Sequence, residues 1–198
     1  MSDHHEIQRR TGGRSARVRV AVLDAALALL AEHGAEKLSI ADVAARADVH
    51  ETSIYRRWRT REGLIVAALL AHSEQALPVP DTGSLRADLT AYATSMVRMV
   101  NSPLGATLIR AMAATDDSPD LARLRDEFWN TRLDSAGVVI DRAVARGELV
   151  TAPDAHLVFE VLLAPVHFQV LLTRRPVDGQ YMERIVDLLM NGLVNGGG

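Results

Sequence analysis

The stretch from Ser39 to Gly63, SIADVAARADVHETSIYRRWRTREG, constrains the fold of this 198-residue chain more than any other. Ile40, Val43, Ala44 and Ala47 recur at helical spacing, but the run is too short for more than two turns. Ser39 stands where a hydroxyl can cap the free N–H groups of that helix, with Asp42 three residues on as the acidic member of a capping box. Ala47-Asp48-Val49 forms the turn, Asp being one of the few non-glycine residues that tolerate a left-handed backbone. A second short helix is predicted from His50 to Trp58, and Thr60 caps a third that continues through Leu64, Ile65, Ala68 and Leu69 toward Ala76. Two short helices about a tight turn can be stable only if other helices cover them. No segment of the chain shows the two-residue alternation of a half-buried strand, and Ala and Leu rather than aromatics (4%) do the filling. The expected fold is all-α, with about nine helices.

Around that stretch the chain divides readily. Residues 1–14 are polar and aperiodic and read as a disordered basic arm, with His4-His5-Glu6 a solvated tail rather than a metal site. A first helix from about Ser15 to His33 buries Val20, Leu23, Leu27 and Leu30, and Gly34 ends it. Pro78-Val79-Pro80 stops the fourth helix and reads as a linker. Five more helices follow, at about 84–101, 103–115, 119–146, 153–173 and 180–194. Ser102-Pro103 and Asp116-Asp117-Ser118-Pro119 each pair a cap with a proline at the first helical position, Gly147 closes the third of these helices, and Pro165 kinks the fourth. The expected domains are a helix-turn-helix unit over 15–63 and a helical body over 64–198.

The His50–Trp58 helix can be read by its angles. At about 100° per residue, with Ile54 at the centre of the buried face, Trp58 lies about 40° away and Thr52 and Arg56 about 160° away. Ser53 and Tyr55 flank them. The outward surface is then hydroxyls, a phenol and an arginine, which suits a DNA major groove: Arg56 can fork onto guanine, and Thr52 can meet a thymine methyl or a phosphate. Tyr55, Arg57 and Arg61 are placed for backbone phosphate, and Ser39, the cap residue, is counted among the DNA-facing candidates. Any amphipathic helix with a polar outer face meets the same angles.

Charge points the same way. The chain is −3 overall, yet residues 1–63 hold eleven Lys/Arg against nine Asp/Glu (net +2) and residues 64–198 eleven against sixteen (net −5). Arg9, Arg10, Arg14, Arg17 and Arg19 lie at the front, and Arg56, Arg57, Arg59 and Arg61 fall within six residues. A locally basic third on an acidic body suits a module that meets phosphates. With no cysteine and no apolar leader, a reducing cytoplasm is the plainest location. The 16-residue run Leu157–Leu172 contains Glu160, Pro165, His167 and Gln169 and reads as a buried core helix, not a membrane span.

The helix ending in Gly34, then "LSIADVAARADV", "TSIYRRW" and "TREGLIVAAL", resembles the N-terminal domain of TetR-family transcriptional regulators over about residues 15–70. Asp48, Trp58 and Arg61 stand where that family usually has Gly, Phe and Lys. None of the three departures is disruptive: Asp tolerates the turn, Trp still fills a core, and Arg keeps the phosphate charge. The resemblance implies phosphate contacts at Tyr55 and Arg61 and base contacts at Arg56 and the first helix positions, adding His50 and Glu51. Glu51 equally suits the positive end of the helix dipole.

The resemblance further implies a two-fold dimer, a palindromic DNA operator, and a body that binds a small-molecule effector, with repression relieved when the ligand alters the spacing of the two DNA-binding units. No cofactor or membrane is implied. The residues support the dimer on their own account. Leu157–Leu172 is apolar on nearly every side, and the last helix carries Met182, Ile185, Val186, Leu188, Leu189 and Leu193. Leu157, Val161, Phe168, Leu172, Met182, Ile185 and Leu189 are the interface candidates, for a four-helix bundle between subunits. A central helix buried within a monomer is the alternative. For the pocket, the middle helices offer Met96, Met99, Met112, Phe128, Trp129 and His167, although methionine at helical spacing is commonly core filler. The single lysine, Lys37, and the methionines favour an apolar or weakly polar ligand. Catalysis is not expected: the chain lacks the Glu-x-x-His pairs of a di-iron bundle, a nucleophile elbow and any cysteine. A DNA-binding regulator without a ligand, working architecturally or through a protein partner, is the remaining rival.

Overall fold

A computed structural model describes residues 12–113 and 119–195, so the expectations for residues 1–11 and for the Asp116–Ser118 cap lie outside the described residues. Among the described residues there are nine α-helices and no strand: α1 (Gly12–His33), α2 (Ile40–Ala47), α3 (Glu51–Trp58), α4 (Arg61–Ala76), α5 (Leu85–Asn101), α6 (Pro103–Ala113), α7 (Pro119–Ala145), α8 (Ala155–His167) and α9 (Gly179–Asn195). The expected elements are all present, within a few residues of the expected ends.

Local chemistry sets the boundaries. The Ser39, Thr60, Ser84 and Asp154 side chains each accept a hydrogen bond from an N–H in the first turn of the helix they precede. Ser102 does the same for Gly105 at 3.0 Å, and Pro103 opens α6. Gly34 and Gly147 take φ of +81° and +76° just beyond α1 and α7. Asp48 ends α2 with φ 53° and ψ 50°, the left-handed conformation expected of it. Pro165 lies inside α8, and residues Phe168–Thr173 continue the chain as a π-helical segment.

Two cores result. The head core joins Leu23, Leu30, Val43, Ile54, Leu64 and Ile65, and α4 contributes to it as far as Leu69. Leu108 of α6 and Leu124 of α7 reach into this same cluster, so head and body share side chains. The body core packs α5 on α9 and α7 on α8, with the Tyr92 and Phe159 rings edge to face at 5.1 Å. The segment between α4 and α5 is held by charge. Asp88 is fully buried and accepts from the Thr82 N–H (2.6 Å) and hydroxyl (2.7 Å) and from Arg146 (3.3 Å), while Arg142 donates to the Pro80 carbonyl (2.9 Å).

Two expectations need correction. Val20, expected in the buried row of α1, is 53% exposed. It lies on a groove lined by Asp24, Ala71, Gln75 and Leu104, where α4 and α6 leave α1 uncovered. Met182, expected at a subunit interface, is 2% exposed inside this chain's own core, so it has no surface left for a partner.

Candidate nucleic-acid interface and body cavity

The helix-turn-helix is braced before it presents anything. Arg46 of α2 forms a bidentate pair with Glu32 of α1 (2.7 and 2.8 Å), and that bond holds the Glu32 carboxyl below its usual range. At the far end of α3, Arg59 adopts φ 60° and ψ −44°, and the Thr60 N–H bonds to the Trp58 carbonyl two residues back at 2.6 Å. That is a γ-turn, a rare and strained corner for a residue with a side chain. It brings the Trp58 carbonyl so near α4 that a Cβ added to Gly63 would lie 2.8 Å from it.

On α3, Ile54 is buried, Trp58 and Ser53 are half-buried, and Glu51, Thr52, Tyr55, Arg56 and Arg57 are exposed. Arg56 makes no hydrogen bond or ion pair with any described residue. The Arg57 guanidinium lies 5.7 Å from the Trp58 ring centre and reaches the Ser15 carbonyl at 3.4 Å, which tilts it toward α1. His50 precedes α3 in extended conformation and its imidazole makes no cap bond. Two candidates are engaged within the chain. The Ser39 hydroxyl accepts from the Asp42 N–H (3.1 Å) and donates to the Asp42 carboxylate (2.6 Å). Arg61 is half-buried and donates to Glu62 (2.8 Å) and to the Glu36 (3.0 Å) and Ala35 (3.4 Å) carbonyls.

In the body a cavity of about 360 Å³ opens between α4, α5, α6, α7 and α8. Of the ligand candidates, Met96, Met99, Phe128, Trp129 and His167 line this cavity; the Met112 side chain lies outside the described residues. Trp129 sits edge to face with both Phe128 (5.2 Å) and His167 (5.4 Å). His167 Nδ1 donates to the Leu163 carbonyl at 3.0 Å, and burial pushes its pKa down, so the ring is a neutral wall with an assigned tautomer.

The sequence reading missed His72, Ser73, Tyr92 and Arg132, which also line the cavity. His72 Nε2 and Ser73 Oγ are buried without a hydrogen-bond partner, and burial lowers the His72 pKa. A signal existed for Arg132, which falls on the i, i+4 row of Leu124, Phe128 and Ala136 and is therefore a cation on an inward face. Among the described residues no group of three or more His, Cys, Asp or Glu could hold a metal ion.

The surface of α8 is two-sided. Val158, Phe159, Leu162, Leu163 and Val166 face the body core, whereas Leu157, Val161, Phe168 and Leu172 form an exposed row, Leu172 being 72% exposed. Leu188 of α9 is 69% exposed, and Ile185 and Leu189 are partly covered by the chain's own core. Residues Ala155–Thr173 are also long and apolar enough to cross a membrane by length and composition, with one-third of that window buried. A helix with one buried row passes that test as readily as a membrane span.

An N-terminal helix-turn-helix carried on a helical body is the architecture of a DNA-binding transcriptional regulator. Residues 22–68 match the family of bacterial regulatory proteins named tetR, and residues 79–189 match the tetracyclin repressor-like C-terminal domain. The chain belongs to the TetR family of transcriptional regulators. It is 36% identical to the HTH-type transcriptional regulator AqdR of Rhodococcus erythropolis over 97% of this chain and 93% of that one. It is 35% identical to the DNA-binding transcriptional repressor TetR of Mycobacteroides abscessus, over 89% of this chain and 94% of that one. The solved structure of the TetR-family transcription regulator SCO0332 superposes with a TM-score of 0.72 at 28% identity, covering 89% and 98% of the two chains. These relatives carry names of regulators, a non-enzymatic role, and TetR-family regulators bind DNA as dimers.

Proposed function

We propose that the protein is a homodimeric cytoplasmic repressor that binds a palindromic operator and is released by a small molecule held in the body cavity. The observation that carries the DNA half is the outer face of α3, where Thr52, Tyr55 and Arg56 stand exposed over a buried Ile54. Arg56 is the base-reading residue of this proposal, with Thr52, Ser53 and the α3 start at His50 and Glu51 beside it. Tyr55 and Arg57 grip phosphate. Arg61 reaches phosphate only by exchanging its carbonyl partners, and Ser39 serves first as a cap.

One short helix contacts too few bases to be selective, so two must act together. The exposed row Leu157, Val161, Phe168 and Leu172, with Leu188, Ile185 and Leu189, supports a partner seated on α8 and α9. An unburied apolar row of that length is costly in water for a lone chain.

The cavity favours a ligand sensor over a regulator without effector, because its wall includes the head's own helix. Leu69, His72 and Ser73 belong to α4, whose first residues abut α3. Thr60 and Ser73 are about 20 Å apart along that helix, so a ligand that shifts its end moves the recognition helix. For the same reason we take the joint between head and body at Pro78–Pro80, after α4, rather than at Gly63. A mobility shift on DNA flanking the protein's own gene tests the reading, together with a thermal-shift screen of apolar small molecules. We expect retarded DNA that Arg56→Ala releases and that a stabilising ligand also releases. Unchanged binding by Arg56→Ala sinks the docking model, and a screen with no stabilising compound sinks the sensor model.

A further inference from the structure

Arg132 is the anomaly of the cavity. It is 4% exposed, in a pocket whose other walls are mostly apolar. Its Nη2 donates to the Leu77 carbonyl at 3.1 Å and to the Tyr92 hydroxyl at 3.0 Å. Among the described residues Nε and Nη1 have no acceptor, and no carboxylate pairs with the guanidinium. A guanidinium remains charged at every pH a folded protein meets, and burying one without a counter-charge is expensive. The Leu77 carbonyl, beyond the C-terminal end of α4, supplies only a fraction of a charge.

The neighbours do not supply the rest. Burial lowers the pKa of His72 and His167, and no carboxylate of a described residue lines the cavity. Meanwhile the Ser73 hydroxyl and His72 Nε2 are buried without partners among the described residues. Ser73 stacks one helical turn before Leu77, whose N–H bonds to the Ser73 carbonyl at 2.8 Å, so the orphan hydroxyl stands near the end of α4 that Arg132 holds. Three polar groups without a partner among the described residues therefore belong to the wall of an otherwise mostly apolar chamber: one edge of the guanidinium, the serine hydroxyl, and an imidazole nitrogen that donates in one of its two tautomers.

We propose that the effector is an organic monoanion, a carboxylate on an aromatic or alicyclic body, with the carboxylate on the free edge of Arg132 and the ring against Trp129, Phe128 and Met96. The proposal rests on the ligand-sensor reading above and sharpens its apolar or weakly polar ligand into an acid-headed one. The carboxylate supplies the missing counter-charge and takes the geometry a planar guanidinium prefers. Ser73 completes the head-group site, and His72 places the same ligand against the head's helix. A purely structural role for Arg132, as a clamp on α4, would leave the cavity indifferent to ligand charge.

The test uses the full chain and three probes of one shape: naphthalene-2-carboxylate, its primary amide, and 2-naphthylmethylamine. Affinities are read by tryptophan fluorescence and by thermal shift. We expect the acid to bind about tenfold tighter than the amide, the value of charge assistance on one such bond, and the ammonium not to bind. Arg132→Gln should bring acid and amide to equal affinity, and Ser73→Ala should narrow their difference while leaving the melting point in place. Should Arg132→Gln fail to fold, Arg132→Lys keeps the charge without the fork and should weaken the acid alone. An amide or ammonium that binds wild type as well as the acid does overturns the proposal and leaves the sensor reading standing. If no naphthalene binds and the wider apolar screen also fails, both fall.

Discussion

In the head, α2 and α3 send their large aliphatic side chains inward under α1 and α4, and none of these remains exposed on either helix. In the body, α8 carries two apolar rows and the chain covers one, while the space around Met96 is left partly empty. The same helices, caps and Ala/Leu filling thus produce a unit that is finished and a unit with surplus surface and surplus volume. Completeness suits a reader of DNA, whose residues must be held in one geometry before they meet bases. Incompleteness is what a receiver of partners and ligands requires: unsatisfied surface on the outside and unsatisfied donors within.

The largest test of that contrast is to spoil the body's outer row without touching its core. Leu172→Glu, alone or with Phe168→Glu, places charge on exposed positions and should leave helicity and melting cooperativity unchanged. Sedimentation should report monomers, and operator affinity should fall by about 10²–10⁴-fold, the avidity lost when two linked sites become one. A variant that stays dimeric would place the subunit contact elsewhere.

Next in size is a substitution where the contrast blurs. Leu108 belongs to α6 but is buried in the head core, and it also lines the cavity. Leu108→Ala should cost about 2–5 kcal/mol of stability by denaturant melting. It should weaken DNA binding as well, although the residue is remote from α3. Two separated melting transitions, with the head's transition unmoved, would show that the cores are independent.

The contrast also explains what could be read in advance. The head was legible because its determinants are local: Ser39, Asp48 and Thr60 act within four residues of themselves, and the exposed face of α3 follows from Ile54 by angle alone. The body's helices were legible for the same reason, through Pro103, Gly147 and Asp154. Its site was legible only in part. Met96, Met99, Phe128, Trp129 and His167 do line the cavity, but so would any inward residue of α5, α7 or α8. The donors that give the cavity its chemistry come from α4 and α7, residues 72–73 and 132, and nothing in either segment alone says that they meet. Asp88, fully buried and tied to Arg146 fifty-eight residues on, was hidden for that reason too. Val20 was misplaced because a periodic row says which residues could be covered, not whether α6 comes close enough to cover them.

Within the head, the two arginines of α3 should separate. Arg56 has no partner among the described residues and is on the outer face, so Arg56→Ala should cost about 1–3 kcal/mol on the operator and little on unrelated DNA. Arg57, stacked on Trp58, should affect both DNAs alike and lower the salt dependence by about one ion. Equal losses on operator and random DNA for both variants would remove the distinction between a base reader and a phosphate anchor.

The smallest effect is a test of the body's interior by pH. Burial lowers the pKa of His72 and His167, so the unfolded chain binds protons more readily than the folded one. The sign follows: the stability they contribute is present above the ordinary histidine value of about 6.5 and is lost as pH falls below it toward the lowered folded-state values. His72 shares the α1 groove with Arg19 and Asp24 and the cavity with Arg125 and Arg132, and burial alone accounts for the direction of its shift. Melting midpoints taken from pH 7.5 down should begin to drop near 6.5, by less than any substitution above changes them. His72→Gln together with His167→Asn keeps a polar group at each place without a proton to gain, and should flatten that part of the curve. A profile unchanged by the double variant would assign the acid loss to the carboxylates, and the two imidazoles would then be walls of the cavity and nothing more.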